Sequence, residues 1–316
     1  MAKPSFSSDN ARPAVAAVLA LLLSTGHCLA VDPPSGAALR ITKNSAGEET
    51  VTQGVRLEEF PGLMATVAAA VEDKATFQVG PNPPSPDHPP ASATVALFDP
   101  NSRILLLKLA TEQVSAPAVK LAVQPSATTA PLSWPAPGGP QPAMDAGPLQ
   151  QLDGRPLALA LRRLHIGSSR ESDRPAPGTP IFNEQGELTA LPLSPIPESA
   201  GAWLGLPAAA VAKLATDFTA VGRAETGQLD LGIAIGTTTP RIEFVKPGSR
   251  AQKAGLAAGD IILSLGGRPV TDVLDILDAN FFLTAREPVI IRFLRGLETM
   301  SVTAPPVAPV VSPAPK

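Results

Sequence analysis

Proline decides what this chain cannot be. There are 37 prolines in 316 residues; each fixes its own φ near −65° and removes a backbone donor. A helical bundle needs long runs in which every N–H reaches the carbonyl four residues back, and such runs do not survive proline at this density. The composition therefore predicts short strands joined by stiff, extended connections. The length allows two ordinary domains, and 44% apolar residues can give both a core. A net charge of −3 with no basic block argues against nucleic acid as a partner.

The N-terminus reads as an export signal over residues 1–30. Lys3 and Arg12 give it a weakly basic start, Ala14 to Leu23 is uninterruptedly apolar, and Cys28-Leu29-Ala30 places small residues where a signal peptidase reads them. The expected cut follows Ala30, which predicts a periplasmic or secreted protein. A retained anchor and a lipid-modified Cys28 are the alternatives. The apolar run is short for a bilayer, and Thr25-Gly26-His27 lacks the leucine and small residue of a lipoprotein signal. Cleavage leaves His88 and His165 as the remaining histidines and removes Cys28, so thiol chemistry and thiolate metal ligation are lost. No zinc spacing, phosphate loop or calcium loop is present. No cofactor and no metal is expected.

Three proline-rich stretches divide the mature chain. Pro81–Pro90 reads as a loop around His88, Ala116–Pro148 as irregular or polyproline-like chain, and Ala304–Pro315 as a disordered tail. Between them lie β-type runs. Thr94–Phe98 and Ile104–Leu109 flank the turn Asp99-Pro100-Asn101-Ser102, while Pro180–Phe182 and Leu188–Leu191 flank Asn183-Glu184-Gln185-Gly186. Ala208 to Phe218 has helical composition and leads out of this all-β region.

The C-terminal pattern is denser. A strand over Leu231–Ile235 is followed by Ile242–Val245, a turn at Lys246–Ser249, and one helical turn, Arg250 to Gly255, stopped by glycine. Gly259–Leu265 and Gly266–Val270 are strands about a tight turn. Thr271 or Asp272 can cap a helix through about Leu283, with Val273, Leu274, Leu277 and Phe281 on one face. Pro288–Leu294 and Leu297–Val302 close the module as a hairpin. The string Val245-Lys246-Pro247-Gly248-Ser249-Arg250-Ala251-Gln252-Lys253-Ala254-Gly255-Leu256, continued by Ala257-Ala258-Gly259-Asp260-Ile261-Ile262, resembles the PDZ domains of HtrA/Deg envelope proteases. The resemblance implies a small, partly open α+β barrel that receives an extended peptide as an added strand. It places the carboxylate loop on Asp230, Leu231, Gly232 and Ile233. It places the binding strand on Ile233, Ala234 and Ile235, and the side-chain pocket on Val273, Leu274 and Leu277.

An HtrA-type chain carries a trypsin-like double β-barrel before its PDZ domain, and traces of one occur in the right order. Gly54–Leu57 followed by Pro61–Glu72 resembles the segment of the catalytic histidine, whose position falls on Ala69. Asp99–Leu109 resembles the segment of the catalytic aspartate, whose position falls on Arg103. Pro175–Asn183 resembles the nucleophile loop, with the serine position on Pro177. Serine hydrolysis needs a hydroxyl, a base and an orienting carboxylate, so the resemblance implies a mainly β, catalytically degenerate body: a pseudoprotease. His165 with Ser168, Ser169, Ser172, Asp173 and Thr179, and His88 among its prolines, read as polar loop residues.

The expected division is a signal peptide 1–30, an N-terminal extension 31–45, the body 46–218, a linker 219–226, the PDZ domain 227–303 and a tail 304–316. The expected function is non-catalytic binding of extended or C-terminal peptides of envelope proteins, as an adaptor, a holder or a regulator of an active protease. Two rivals use the same residues: an active serine endopeptidase with its catalytic residues elsewhere, and a structural envelope protein that self-assembles through its PDZ domain.

Overall fold

The computed structural model describes residues 34–109, 114, 116–122, 132–136, 139–141, 146–148, 151–152, 155–156, 161, 164–167, 175–196, 202–225, 233–235 and 239–306. The stretch expected to be an export signal and the end of the expected tail lie outside these.

The first strands are β1 (Leu39–Ser45), β2 (Glu48–Leu57), β3 (Leu63–Val67), β4 (Thr76–Pro81), β5 (Ala91–Asp99) and β6 (Ile104–Leu109). They run antiparallel in the order β1-β4-β5-β6-β3-β2, and β2 pairs back onto β1, closing a six-stranded barrel. A short β7 (Ala118–Val119) adds parallel to β2. Local chemistry sets the turns. Ala46 and Gly47, with φ of 50° and 88°, make the two-residue connection whose twist suits a hairpin. The buried Asp99 carboxylate accepts the Ser102 N–H at 2.9 Å, which holds the β5–β6 turn anticipated from sequence. Residues 39–45, which the sequence reading leaves in an N-terminal extension, are β1 itself. Only Leu39 and Ile41 turn into the barrel there; the residues that follow are polar.

The second half contains β8 (Trp134–Ala136), β9 (Gly139–Gln141), β10 (Ala146–Pro148), β11 (Gln151–Leu152), β12 (Arg155–Pro156), β13 (Leu164–Gly167), β14 (Ile181–Phe182), β15 (Leu188–Pro195) and β16 (Ala202–Pro207). Five of them form a sheet in the order β10-β13-β16-β15-β14, while β8–β9 and β11–β12 are separate pairs. The Ala116–Pro148 stretch, expected to be irregular, thus contains β7 to β10. Its strands are only two or three residues long, and Pro135 faces Pro140 across the β8–β9 pair. A two-stranded ribbon is all edge, so it tolerates the missing donors.

Three apolar clusters build this body. Leu39, Ile41, Met64, Phe77, Val79, Leu105 and Leu107 fill the first barrel. Trp134, Ile166, Ile181 and Trp203 pack the second sheet. Val55, Ala65, Val67, Ile104 and Leu106, from the outer face of the first barrel, meet Phe182, Leu188, Leu191 and Leu206 of the second. That double burial explains why all of β3 and the first four residues of β6 are buried without alternation. The helix α1 (Ala208–Val221) buries Val211, Leu214 and Ala215 in the same cluster. It runs one turn past the expected Phe218 and ends at Gly222, which takes up φ 71° and donates its N–H to the Phe218 carbonyl at 2.7 Å.

The C-terminal module follows the sequence pattern closely. It contains β17 (Ile233–Ile235), β18 (Ile242–Val245), α2 (Arg250–Lys253), β19 (Ile261–Leu265), β20 (Arg268–Pro269), α3 (Val273–Phe282), β21 (Val289–Arg295) and β22 (Glu298–Ala304). One sheet is β17–β18 and the other is β20-β19-β21-β22. Asp272 caps α3 in a reciprocal box with Asp275. Asp260, almost fully buried, receives both forks of Arg295 at 2.7 and 2.8 Å and the Ala257 N–H at 2.8 Å, joining the end of β21 to the loop that enters β19. Arg250 donates to the Pro305 carbonyl at 2.5 Å, tying α2 to the end of β22, and burial lowers its pKa.

The buried residues of α3 meet two different neighbours. Ile276 and Ala279 enter the module's own core with Ile262, Leu265, Ile291 and Phe293. Phe281 joins the cluster of the body, with Phe282 packed against it. Beside this contact Arg286 pairs with the buried Glu225 at 2.8 Å. The Glu225 N–H in turn donates to Asp217 of α1 at 2.9 Å, and Asp217 also holds Lys213 at 2.6 Å. The module is therefore keyed into the body by an aromatic side chain and a chain of charges.

Candidate functional site

The three positions assigned to catalytic roles come from distant parts of the chain, and the fold brings them together. Ala69 follows β3, Arg103 sits in the turn before β6, and Pro177 lies in the loop before β14. All three line one cleft of about 420 Å³ between the two halves of the body. Backbone bonds hold the convergence. The Arg103 carbonyl accepts from Ala68 N–H at 3.0 Å, and the Pro177 carbonyl accepts from Gln53 N–H at 2.9 Å. Gly178 cannot be replaced freely, because its φ is 78° and a Cβ there would strike the Gln53 carbonyl. The Arg103 side chain turns back to donate to the Ala69 carbonyl. Arg103 itself has φ 70°, an uncommon setting for a residue with a Cβ.

The remaining lining was not legible from the three motifs. Lys43 comes from β1, Thr50 and Thr52 from β2, and Leu193 and Ser194 from β15, where pairing with β16 is irregular. Only contact with the predicted segments in three dimensions assigns them. Val67, Phe77 and Leu105 make the cleft largely apolar. Lys43 is engaged with Glu72 at 2.7 Å and with the Ala70 carbonyl at 2.9 Å; that ammonium holds the Glu72 carboxyl below its ordinary value. Ala69 and Pro177 bring no side-chain heteroatom. The hydroxyls at the cleft belong to Thr50, Thr52 and Ser194, and no His, Asp or Glu is among the residues lining it. His88 lines a separate cavity beside Pro89, and His165 lies half-buried in β13. Ser168, Ser169, Ser172 and Asp173 lie outside the described residues, and Thr179 is buried. Among the described residues no cluster of His, Cys, Asp and Glu could hold a metal ion.

The residues assigned to peptide recognition divide as follows. Asp230, Leu231 and Gly232 lie outside the described residues. Ile233, Ala234 and Ile235 form β17, opposite Val245, Phe244 and Ile242 of β18, with a register irregularity after Ala234. Among the described residues β17 has one strand neighbour, so its outer edge is unpaired. Val273, Leu274 and Leu277 lie along α3, each half-buried.

Two packed halves of short antiparallel strands, a helix leading out, and a glycine-punctuated module keyed behind them define an HtrA-type architecture, a trypsin-like double barrel followed by a PDZ domain. Residues 241–295 match the PDZ domain family. HhoB of Synechocystis sp., a protein called a serine protease, is 26% identical over 150 residues, covering 41% of this chain and 36% of that protein. The chain thus matches little more than a third of that relative's length. Among solved structures, the HtrA-type protease AlgW with a decapeptide superposes with a TM-score of 0.57 at 14% identity, covering 87% of this chain and 97% of that one. The serine endoprotease from Yersinia pestis gives 0.51 at 17% identity, covering 86% and 94%. At these identities the likeness speaks for the fold alone.

Proposed function

We propose that this chain is an exported, non-catalytic HtrA-like protein that binds extended or C-terminal peptides of envelope proteins through its PDZ domain. It would act as an adaptor, a holder or a regulator of an active protease. The observation that carries the reading is the content of the cleft. Three segments resembling those of a catalytic triad meet there and bring alanine, arginine and proline. Acyl transfer through a triad needs a nucleophile and a base in hydrogen-bond reach, and neither alanine nor proline can serve. Ser194 has no imidazole or carboxylate beside it in the lining.

Peptide binding is supported by the outer edge of β17, which has no strand partner among the described residues and is a suitable place for strand addition, and by the peptide held in the AlgW structure. In this reading Asp230, Leu231, Gly232 and Ile233 receive the terminal carboxylate, Ile233, Ala234 and Ile235 pair with the peptide, and Val273, Leu274 and Leu277 take its last side chains. Export rests on the sequence of residues 1–30. The test is a library of C-terminal peptides presented to the full mature chain. The reading expects a defined subset to bind, with about tenfold loss on amidation of the terminus and on Leu277→Asp. A library without a single binder would sink it.

A further inference from the structure

We propose that the cleft between the two halves of the body is a second peptide site, independent of the PDZ groove, that selects an internal acidic residue flanked by apolar ones. The argument begins with its charge. Lys43 and Arg103 are the charged residues lining the cleft. The Lys43 ammonium is already neutralised by Glu72 at 2.7 Å. Arg103 is different: it is exposed, spends one N–H on the Ala69 carbonyl, and has no ion-pair partner among the described residues. A guanidinium carries five N–H donors in a planar fork, so most of its donors have no protein partner among the described residues at the cleft that Arg103 lines.

Its mounting is fixed. The Arg103 N–H donates to the Asp99 carbonyl at 2.8 Å and its carbonyl accepts from Ala68, so the backbone is held on both sides in the left-handed region. A cation held in place is a better ligand anchor than one on a mobile loop, because less freedom is lost on binding.

The surroundings select the ligand. Val67, Phe77, Leu105 and Leu193 line a cleft of about 420 Å³, room for a few side chains rather than a lone ion. One open guanidinium matches the single charge and two oxygens of a carboxylate. A nucleic acid strand would need several such cations in a row. An extended segment with glutamate or aspartate between apolar residues satisfies both the fork and the walls.

The test uses the full mature chain and a fluorescent hexapeptide with one glutamate between apolar residues, acetylated and amidated so that no terminal carboxylate remains for the PDZ loop. Its twin carries glutamine. Anisotropy titrations should show the glutamate peptide binding about fivefold tighter, the range of a partly solvated charge pair. Arg103→Asn, which keeps a residue tolerant of the left-handed backbone, should erase the difference, and Arg103→Lys should retain part of it. Leu277→Asp in α3 should leave it intact. On the unsubstituted protein, raising salt from 50 to 500 mM, round values chosen to shorten the Debye length about threefold, should shrink the preference. Failure of both peptides to bind, a preference that survives Arg103→Asn or high salt, or one lost on Leu277→Asp would each overturn the proposal. The last result would put the ligand in the PDZ groove and leave that reading standing.

Discussion

A single charged pair does much to hold the C-terminal module in shape, and its environment sets its pH behaviour. Burial alone would raise the pKa of the Asp260 carboxyl, but the Arg295 fork and the Ala257 N–H outweigh it and hold the group below its ordinary value. A carboxylate with a lowered folded pKa contributes its stability in full above the unfolded value, near pH 4, and loses it as pH falls through the folded one. Thermal unfolding of the protein should therefore show the module weakening below about pH 4, and Asp260→Asn should flatten that dependence. Because Arg295 is partly solvated, the substitution should cost only about 2 kcal/mol at neutral pH, measured by urea titration. Asp260 was readable as part of a glycine-punctuated string, but its partner was not: Arg295 lies at the far end of the module, and spacing along the chain does not reveal a pair formed across a sheet.

Elements were legible where turn chemistry or capping is local. Asp99-Pro100-Asn101-Ser102 announced the β5–β6 hairpin, Asn183-Glu184-Gln185-Gly186 the β14–β15 hairpin, and Thr271 or Asp272 the start of α3, which Asp272 caps, because each acts on atoms within four residues. Where the deciding partner is distant the reading fell short. β1 escaped notice because two inward residues, Leu39 and Ile41, are all the alternation it has. The ribbon pairs among the prolines escaped because they have almost no ladder to lose. Helical periodicity put Val273, Leu274, Leu277 and Phe281 on one face of α3, but it does not say which neighbour each meets, and so could not show that Phe281 joins the cluster of the body. The capping box offers a check on this scale. Asp275 accepts from the N–H groups of Thr271 and Asp272, and Asp272 accepts from Asp275 N–H. Asp272→Ala should cost about 1 kcal/mol, read as a shift in denaturation midpoint, and should weaken peptide binding if α3 is a groove wall.

On the scale of the molecule, the described residues of the module meet the apolar cluster of the body through Phe281, with Phe282 packed beside it. Phe281 leaves α3 to join the cluster that also holds α1 and both sheets, its ring set edge-on to Phe282 at 5.2 Å. Phe281→Ala should remove about 3–5 kcal/mol of packing and separate the unfolding of the body from that of the module. Calorimetry should then resolve two transitions where the unsubstituted protein gives one; a single unshifted transition would mean that the contact carries no coupling. The order of the three triad-like segments was visible in the sequence, whereas the walls of their cleft were not. Lys43, Thr50, Leu193 and Ser194 owe their place to barrel closure and a strand irregularity, which no motif records.

The central claim is that the body retains a protease's shape without its chemistry. The measurement that bears on it most directly is incubation of the purified protein with unfolded casein, alongside labelling by a serine-reactive fluorophosphonate. The account predicts intact casein and no labelled serine. Cleavage accompanied by a single labelled serine would contradict it, and would make the chain an enzyme whose nucleophile lies away from Pro177.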